Sequence, residues 1–103
     1  MEYKQRKRSS LEIILDILKS CEEGCGVTKI IYGAGINYSV AQKYIDELTK
    51  MDVLKVKINE NKKYYELTEK GRLLKNHLDE FIKLKEHLEE KKTKLRELLD
   101  IED

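Results

Sequence analysis

Leu74, Phe81, Leu88 and Leu95 recur every seven residues through a stretch, Thr68 to Ile101, that is otherwise dominated by charge. Seven residues make two helical turns, so such a repeat predicts a helix with one apolar seam. Thr68 suits its N-cap. A helix of about 33 residues extends roughly 50 Å, and a small body cannot cover a stripe that long. Two heptad registers share the spine: one adds Leu78, Lys85, Lys92 and Leu99, the other His77, Leu84, Lys91 and Leu98. Each is six apolar of eight, so the pattern leaves both open.

The stripe calls for a partner helix, and a second copy of the chain is the economical source. The expected interface comprises Leu74, Leu78, Phe81, Leu84, Leu88, Leu95 and Leu98. Lys70, Arg72 and Lys75 crowd the helix start, while Glu97, Asp100, Glu102 and Asp103 crowd its end. An antiparallel coiled coil pairs those opposite charges, so that direction is expected.

The preceding residues read as a small body. Residues 1–8 are polar, basic and without periodicity, which predicts a flexible arm. Ser9 and Glu12 have capping-box spacing, and the helix after them, with Leu11, Ile14, Leu15, Leu18 and Cys21 on one face, runs to about Glu23 and stops at Gly24. Cys25 to Val27 has room only for an isolated strand pairing. Thr28 is taken as the cap of a short second helix to Ala34, broken by Gly33-Ala34-Gly35. Asn37 caps a third helix reaching Met51. A short helix, a glycine turn and a longer helix match helix-turn-helix geometry. Alternation from Val53 to Leu67 then gives a hairpin with its turn at Asn59-Glu60-Asn61-Lys62. The expected fold is mainly α with a small β-hairpin: an arm (1–8), a winged helix-turn-helix domain (9–68) and a long dimerisation helix (69–103).

Composition narrows function by exclusion. No long apolar run is present, so neither a membrane span nor a secretory signal is expected, and the location is read as cytoplasmic. Residues 1–75 hold 15 Lys/Arg against 11 Asp/Glu, and residues 76–103 hold 6 against 9. The basic excess therefore belongs to the body, which permits nucleic-acid binding without demanding it. Cys21 and Cys25 could join if the chain turns at Gly24, or stay reduced. His77 and His87 are too far downstream to complete a zinc site with them, so no metal is expected. Gly33-Ala34-Gly35 follows no strand and is no dinucleotide site. No hydroxyl or thiol has a histidine near it in sequence, so neither a catalytic site nor a cofactor is expected.

The candidate contacts are those of a DNA-binding surface. Tyr38, Ser39, Gln42 and Lys43 lie at the outward N-terminal positions of the third helix. Gln can pair with adenine, and Lys can reach guanine acceptors or phosphate. Lys57, Lys62 and Lys63 on the hairpin would touch the backbone or minor groove, although exposed strand lysines also guard against edge-to-edge aggregation. Lys4, Arg6, Lys7 and Arg8 of the arm could track phosphates.

Tyr65-Glu-Leu-Thr-Glu-Lys-Gly71 resembles the Tyr-x-Leu-Thr-x-Lys-Gly element at the wing-to-helix junction of archaeal winged-helix regulators. Its physical reading is that Leu67 anchors the last strand, Thr68 caps, and Gly71 permits close helix packing. Leu11-Glu-Ile-Ile-Leu-Asp-Ile-Leu, Tyr32-Gly-Ala-Gly-Ile-Asn-Tyr and Ala41-Gln-Lys-Tyr-Ile-Asp-Glu-Leu resemble the archaeal 10a-type DNA-binding proteins. The resemblance spans residues 9–101. It implies a homodimer joined by a long antiparallel coiled coil and binding double-stranded DNA, as an architectural or regulatory protein associated with the nucleoid. A net charge of +1 is low for a chromatin-coating member and leans toward a site-selective transcriptional regulator. The alternative from another class is a winged-helix protein-interaction or assembly module that does not touch DNA.

Overall fold

A computed structural model describes residues 8–100. The order is α1 (Ser10–Ser20), α2 (Val27–Ala34), α3 (Tyr38–Lys50), β1 (Leu54–Asn59), β2 (Lys62–Leu67) and α4 (Glu69–Leu99). No helix among these residues is long and apolar enough to cross a membrane. Lys4, Arg6, Lys7, Ile101, Glu102 and Asp103 lie outside the described residues.

The expected capping box opens α1. Ser9 Oγ accepts from the Glu12 amide at 3.2 Å, and Glu12 Oε1 accepts from the Ser9 amide at 2.9 Å. The helix ends at Ser20, earlier than Glu23, because the chain must turn to bring Cys25 beside β2. Cys25 exchanges both backbone hydrogen bonds with Tyr65, at 2.9 and 2.8 Å. A Cys21–Cys25 disulfide closes the turn, and Gly24 takes its positive φ inside that turn, not as the helix stop. With Cys25 fixed, the chain enters α2 at Val27. Gly26 occupies the N-cap without a side-chain bond, so Thr28 is a first-turn residue and not the cap.

Gly35 ends α2 in the left-handed region (φ 65°), and the Ile36 amide closes on Ile31 O. Asn37 caps α3 as expected, its Oδ1 accepting from the Val40 amide at 2.8 Å. The far end of α3 is a Schellman turn: the Val53 amide reaches Leu48 O, the Asp52 amide reaches Thr49 O, and Asp52 is left-handed. Met51 is 49% exposed because the helix has already terminated there.

The hairpin is tighter than a four-residue turn. Asn59 pairs with Lys62, and only Glu60 and Asn61 turn, both with positive φ as a two-residue hairpin of type I′ demands. Thr68 links wing to helix: its Oγ1 accepts from the Gly71 amide at 3.0 Å and donates to Asp52 O at 2.5 Å. A Cβ at Gly71 would overlap Val53 O, so only glycine lets α4 seat against the end of α3.

One core holds the body together. Ile17, Leu18, Ile30 and Leu48 are fully buried, joined by Cys21, Ala41, Ile45, Leu54, Tyr65 and Leu67. Each such aliphatic side chain contributes about 1.5–3 kcal/mol by leaving water. The first turns of α4 belong to this core through Leu78, with Leu74 and Ile82 packed against it. This corrects the seam assignment of Leu78: α1 covers it within the chain, leaving it 6% exposed. Leu74 is half-buried for the same reason. Lys75 pairs with Glu22, and Asp79 with Lys19 at 3.4 Å, so charges flank the α1–α4 contact. Beyond Ile82, Leu84, Leu88, Leu95, Leu98 and Leu99 are all exposed by more than half, and Phe81 nearly so.

Candidate nucleic-acid interface

The start of α3, the start of α2 and the tip of the hairpin converge on one open groove of about 720 Å³. Gly26, Val27, Thr28, Lys29, Tyr38, Gln42, Lys62, Lys63 and Tyr65 line it: three ammonium groups and no carboxylate. The α3 N-cap orients Tyr38 and Gln42 toward it, one helical turn apart. Gln42 Nε2 donates to Tyr38 Oη at 3.3 Å, which leaves the amide oxygen and the second N–H hydrogen to a ligand. Tyr65 forms the floor. It is 4% exposed, and burial pushes its phenol above the usual range, so it stays neutral.

A second groove, of about 310 Å³, runs between the outer side of α3 and the inner face of the wing. Ile45, Val56 and Ile58 give it an apolar wall, and Gln42, Asp46, Lys50 and Lys63 rim it. Gln42, Lys63 and Tyr65 line both grooves, which makes one continuous surface from α2 across α3 to the wing. Such a surface presents helix-borne amides and hydroxyls between two sets of cations. That is the chemistry a duplex backbone and its base edges require.

The structure thus gathers Tyr38, Gln42, Lys62 and Lys63 into one site. Ser39 and Lys43 are exposed on the first turns of α3 but line neither groove. Lys57 is held apart: it sits on the other face of β1, paired with Glu66 at 3.3 Å. Arg8 is folded onto the body, its guanidinium bonding Asp16 at 2.6 Å and the Ala34 carbonyl at the end of α2. Sequence reasoning passed over Lys29 and Thr28. The spacing of Thr28 before an apolar pair looked like a cap, and the two-residue earlier start of α2 turns both toward the wing.

Comparison with known proteins agrees with this architecture. A winged helix-turn-helix family profile matches residues 7–86. The crystal structure of Sso10a-2, a DNA-binding protein from Sulfolobus solfataricus, superposes with a TM-score of 0.86 at 53% identity, covering 92% of this chain and all of that one. The uncharacterized protein MJ0287 of Methanocaldococcus jannaschii is 37% identical over 79 residues, 76% of this chain and 77% of the relative. The MepR–DNA complex of S. aureus shares the fold alone, at 15% identity and a TM-score of 0.61, over 89% of this chain and 78% of that one. The chain belongs to the winged helix-turn-helix family, in its 10a-type branch.

Proposed function

We propose that this protein is a homodimeric double-stranded DNA-binding protein of the cytoplasm and nucleoid, acting as a non-enzymatic transcriptional regulator. The observation that carries the reading is the carboxylate-free groove in which Lys29, Lys62 and Lys63 surround Tyr38 and Gln42. In this reading α3 enters the major groove, with Gln42 as the principal base reader and Tyr38, Ser39 and Lys43 beside it. Lys62 and Lys63 hold the backbone or minor groove from the wing, with Lys29 on the opposite bank. Lys57 joins them only by leaving Glu66. Arg8 acts as a brace for α2, and Lys4, Arg6 and Lys7 are left as the arm's phosphate contacts. The similarity to a DNA-binding protein at 53% identity supports the reading.

Dimerisation follows from the bare stripe of α4. The body takes Leu78 and Ile82, and the apolar residues left exposed from Phe81 to Leu98 follow the register of His77, Leu84, Lys91 and Leu98. A second copy of α4 supplies the missing cover, antiparallel so that basic starts meet acidic ends.

Fluorescence anisotropy with duplex DNA across a salt series tests the binding. Log K should fall linearly with log salt, by about 0.9 per phosphate neutralised. Lys62→Ala should weaken all sequences alike and shallow that slope, whereas Gln42→Ala should change sequence preference. Absence of binding at low salt would discard the DNA reading.

A further inference from the structure

The exposed apolar residues of α4 fix how two copies mate, to the residue. This step rests on the dimer reading above. They run from Leu73, 58% exposed beside the body, to Leu99, 64% exposed at the helix end. An antiparallel pair of helices has a twofold axis, and its layers set an a-type position against a d-type one. That rule allows only alignments one heptad apart. We propose that the axis passes beside Glu86, midway along the exposed stripe.

In this alignment Leu84 of each chain packs on the partner's Leu88, which places four leucines around the axis. Phe81 is covered by the aliphatic stem of the partner's Lys91, with the ammonium free to leave toward water. Leu95 lies on the partner's His77, and Leu98 on the partner's Leu74. Leu73 and the partner's Leu99 come level at each end of the seam, on its opposite flanks. Phe81, Leu84, Leu88, Leu95 and Leu98 thereby all gain a partner. The partner's last turns come to lie beside the winged body, so its C-terminal end helps to brace that body.

The neighbouring alignments do worse on the same residues. Moving the partner one heptad toward the C-terminal side leaves Leu73, Leu74 and His77 past its end. It also sets Lys85 against the partner's Lys92 twice. Moving it the other way strands Leu95 and Leu98. In the proposed alignment the flanks instead bring Glu80 to the partner's Lys94 on both sides, and a single Lys85 pair meets at the axis. A parallel, in-register pair would press Lys91 against the partner's Lys91 within the seam.

Oxidative cross-linking of the full chain reads the alignment, since both native cysteines are already joined. A mixture of Leu84→Cys and Leu88→Cys chains should give a covalent dimer, and neither variant alone should. Cross-linking of Leu84→Cys with Leu95→Cys instead would overturn the alignment, and of Leu84→Cys with itself would overturn the antiparallel direction. Spin labels at the outward Glu86 and Thr93 give a second reading that leaves the seam untouched. The Glu86 labels should sit level, whereas the Thr93 labels should be offset along the axis by about 21 Å and be clearly farther apart. Equal distances at the two sites would overturn the proposal. A monomeric mass in light scattering would remove the dimer reading itself, a failure distinct from a wrong alignment.

Discussion

The two halves of α4 share one heptad spine, yet they face opposite circumstances. From Glu69 to Ile82 the helix is seated: Gly71 lies against Val53, Leu78 is in the core, and Lys75 and Asp79 pair with α1. From Lys83 to Leu99 its leucines stand in water, each more than half exposed. Helices in proteins draw most of their stability from packing of an apolar face. The proximal half is therefore part of the winged domain, and the distal half depends on whatever covers it. A boundary drawn at Thr68 marks the cap of the helix but not the edge of the domain.

Leucine substitutions on either side of Ile82 should separate the halves. Leu78→Ala removes a buried side chain from the body and should cost about 3 kcal/mol in chemical denaturation. Leu88→Glu leaves the body's core untouched. It should convert the dimer to monomer by light scattering and reduce helical circular dichroism, while the body still unfolds cooperatively. A Leu88→Glu protein of unchanged mass would end the contrast between the halves.

Two smaller changes probe what seats the proximal half. Reducing the Cys21–Cys25 bond reopens a five-residue loop and should lower stability by about 2 kcal/mol on the loop-entropy scale, measured as a fall in midpoint under a strong reductant. Gly71→Ala drives a methyl group into Val53 O, and overpacking of that kind costs about 1–3 kcal/mol. Its midpoint should fall, while Gly26→Ala, whose Cβ meets nothing within 4 Å, should leave the midpoint nearly unchanged.

Much of this was legible in the residues. The Ser9 and Asn37 caps, the Thr68 cap, the hairpin's inward Tyr65 and Leu67, and the close approach at Gly71 all follow from local chemistry, and the structure has each of them. What local patterns could not carry was competition between distant segments. The heptad count was tied between two registers, because nothing in the helix itself says that α1 will claim Leu78. Thr28 had the chemistry of a cap, but pairing of Cys25 with Tyr65, forty residues on, started the helix sooner. The same displacement hid Lys29 from the site. Lys57 and Arg8 looked free because their partners, Glu66 and Asp16, are neighbours only after folding.

The charges at the α1–α4 contact supply the mildest test. Hydrogen bonding to Lys75 holds the Glu22 carboxyl below its ordinary value of 4.5, and bonding to Lys83, with Lys19 nearby, holds Asp79 below 3.8. A carboxyl with a depressed folded value binds protons more readily when unfolded, so stability must rise with pH through this window. The contribution is complete above about pH 4.5, the ordinary Glu value, and is lost as pH falls through the depressed folded values. Both pairs are solvent-exposed, so screening keeps their contribution small. Denaturation midpoints of Glu22→Gln and Asp79→Asn should sit slightly below that of the parent at pH 7, and the gap should narrow as pH falls through the depressed folded values. A gap that persists undiminished in acid would mean that the two side chains seat α4 by shape and not by charge.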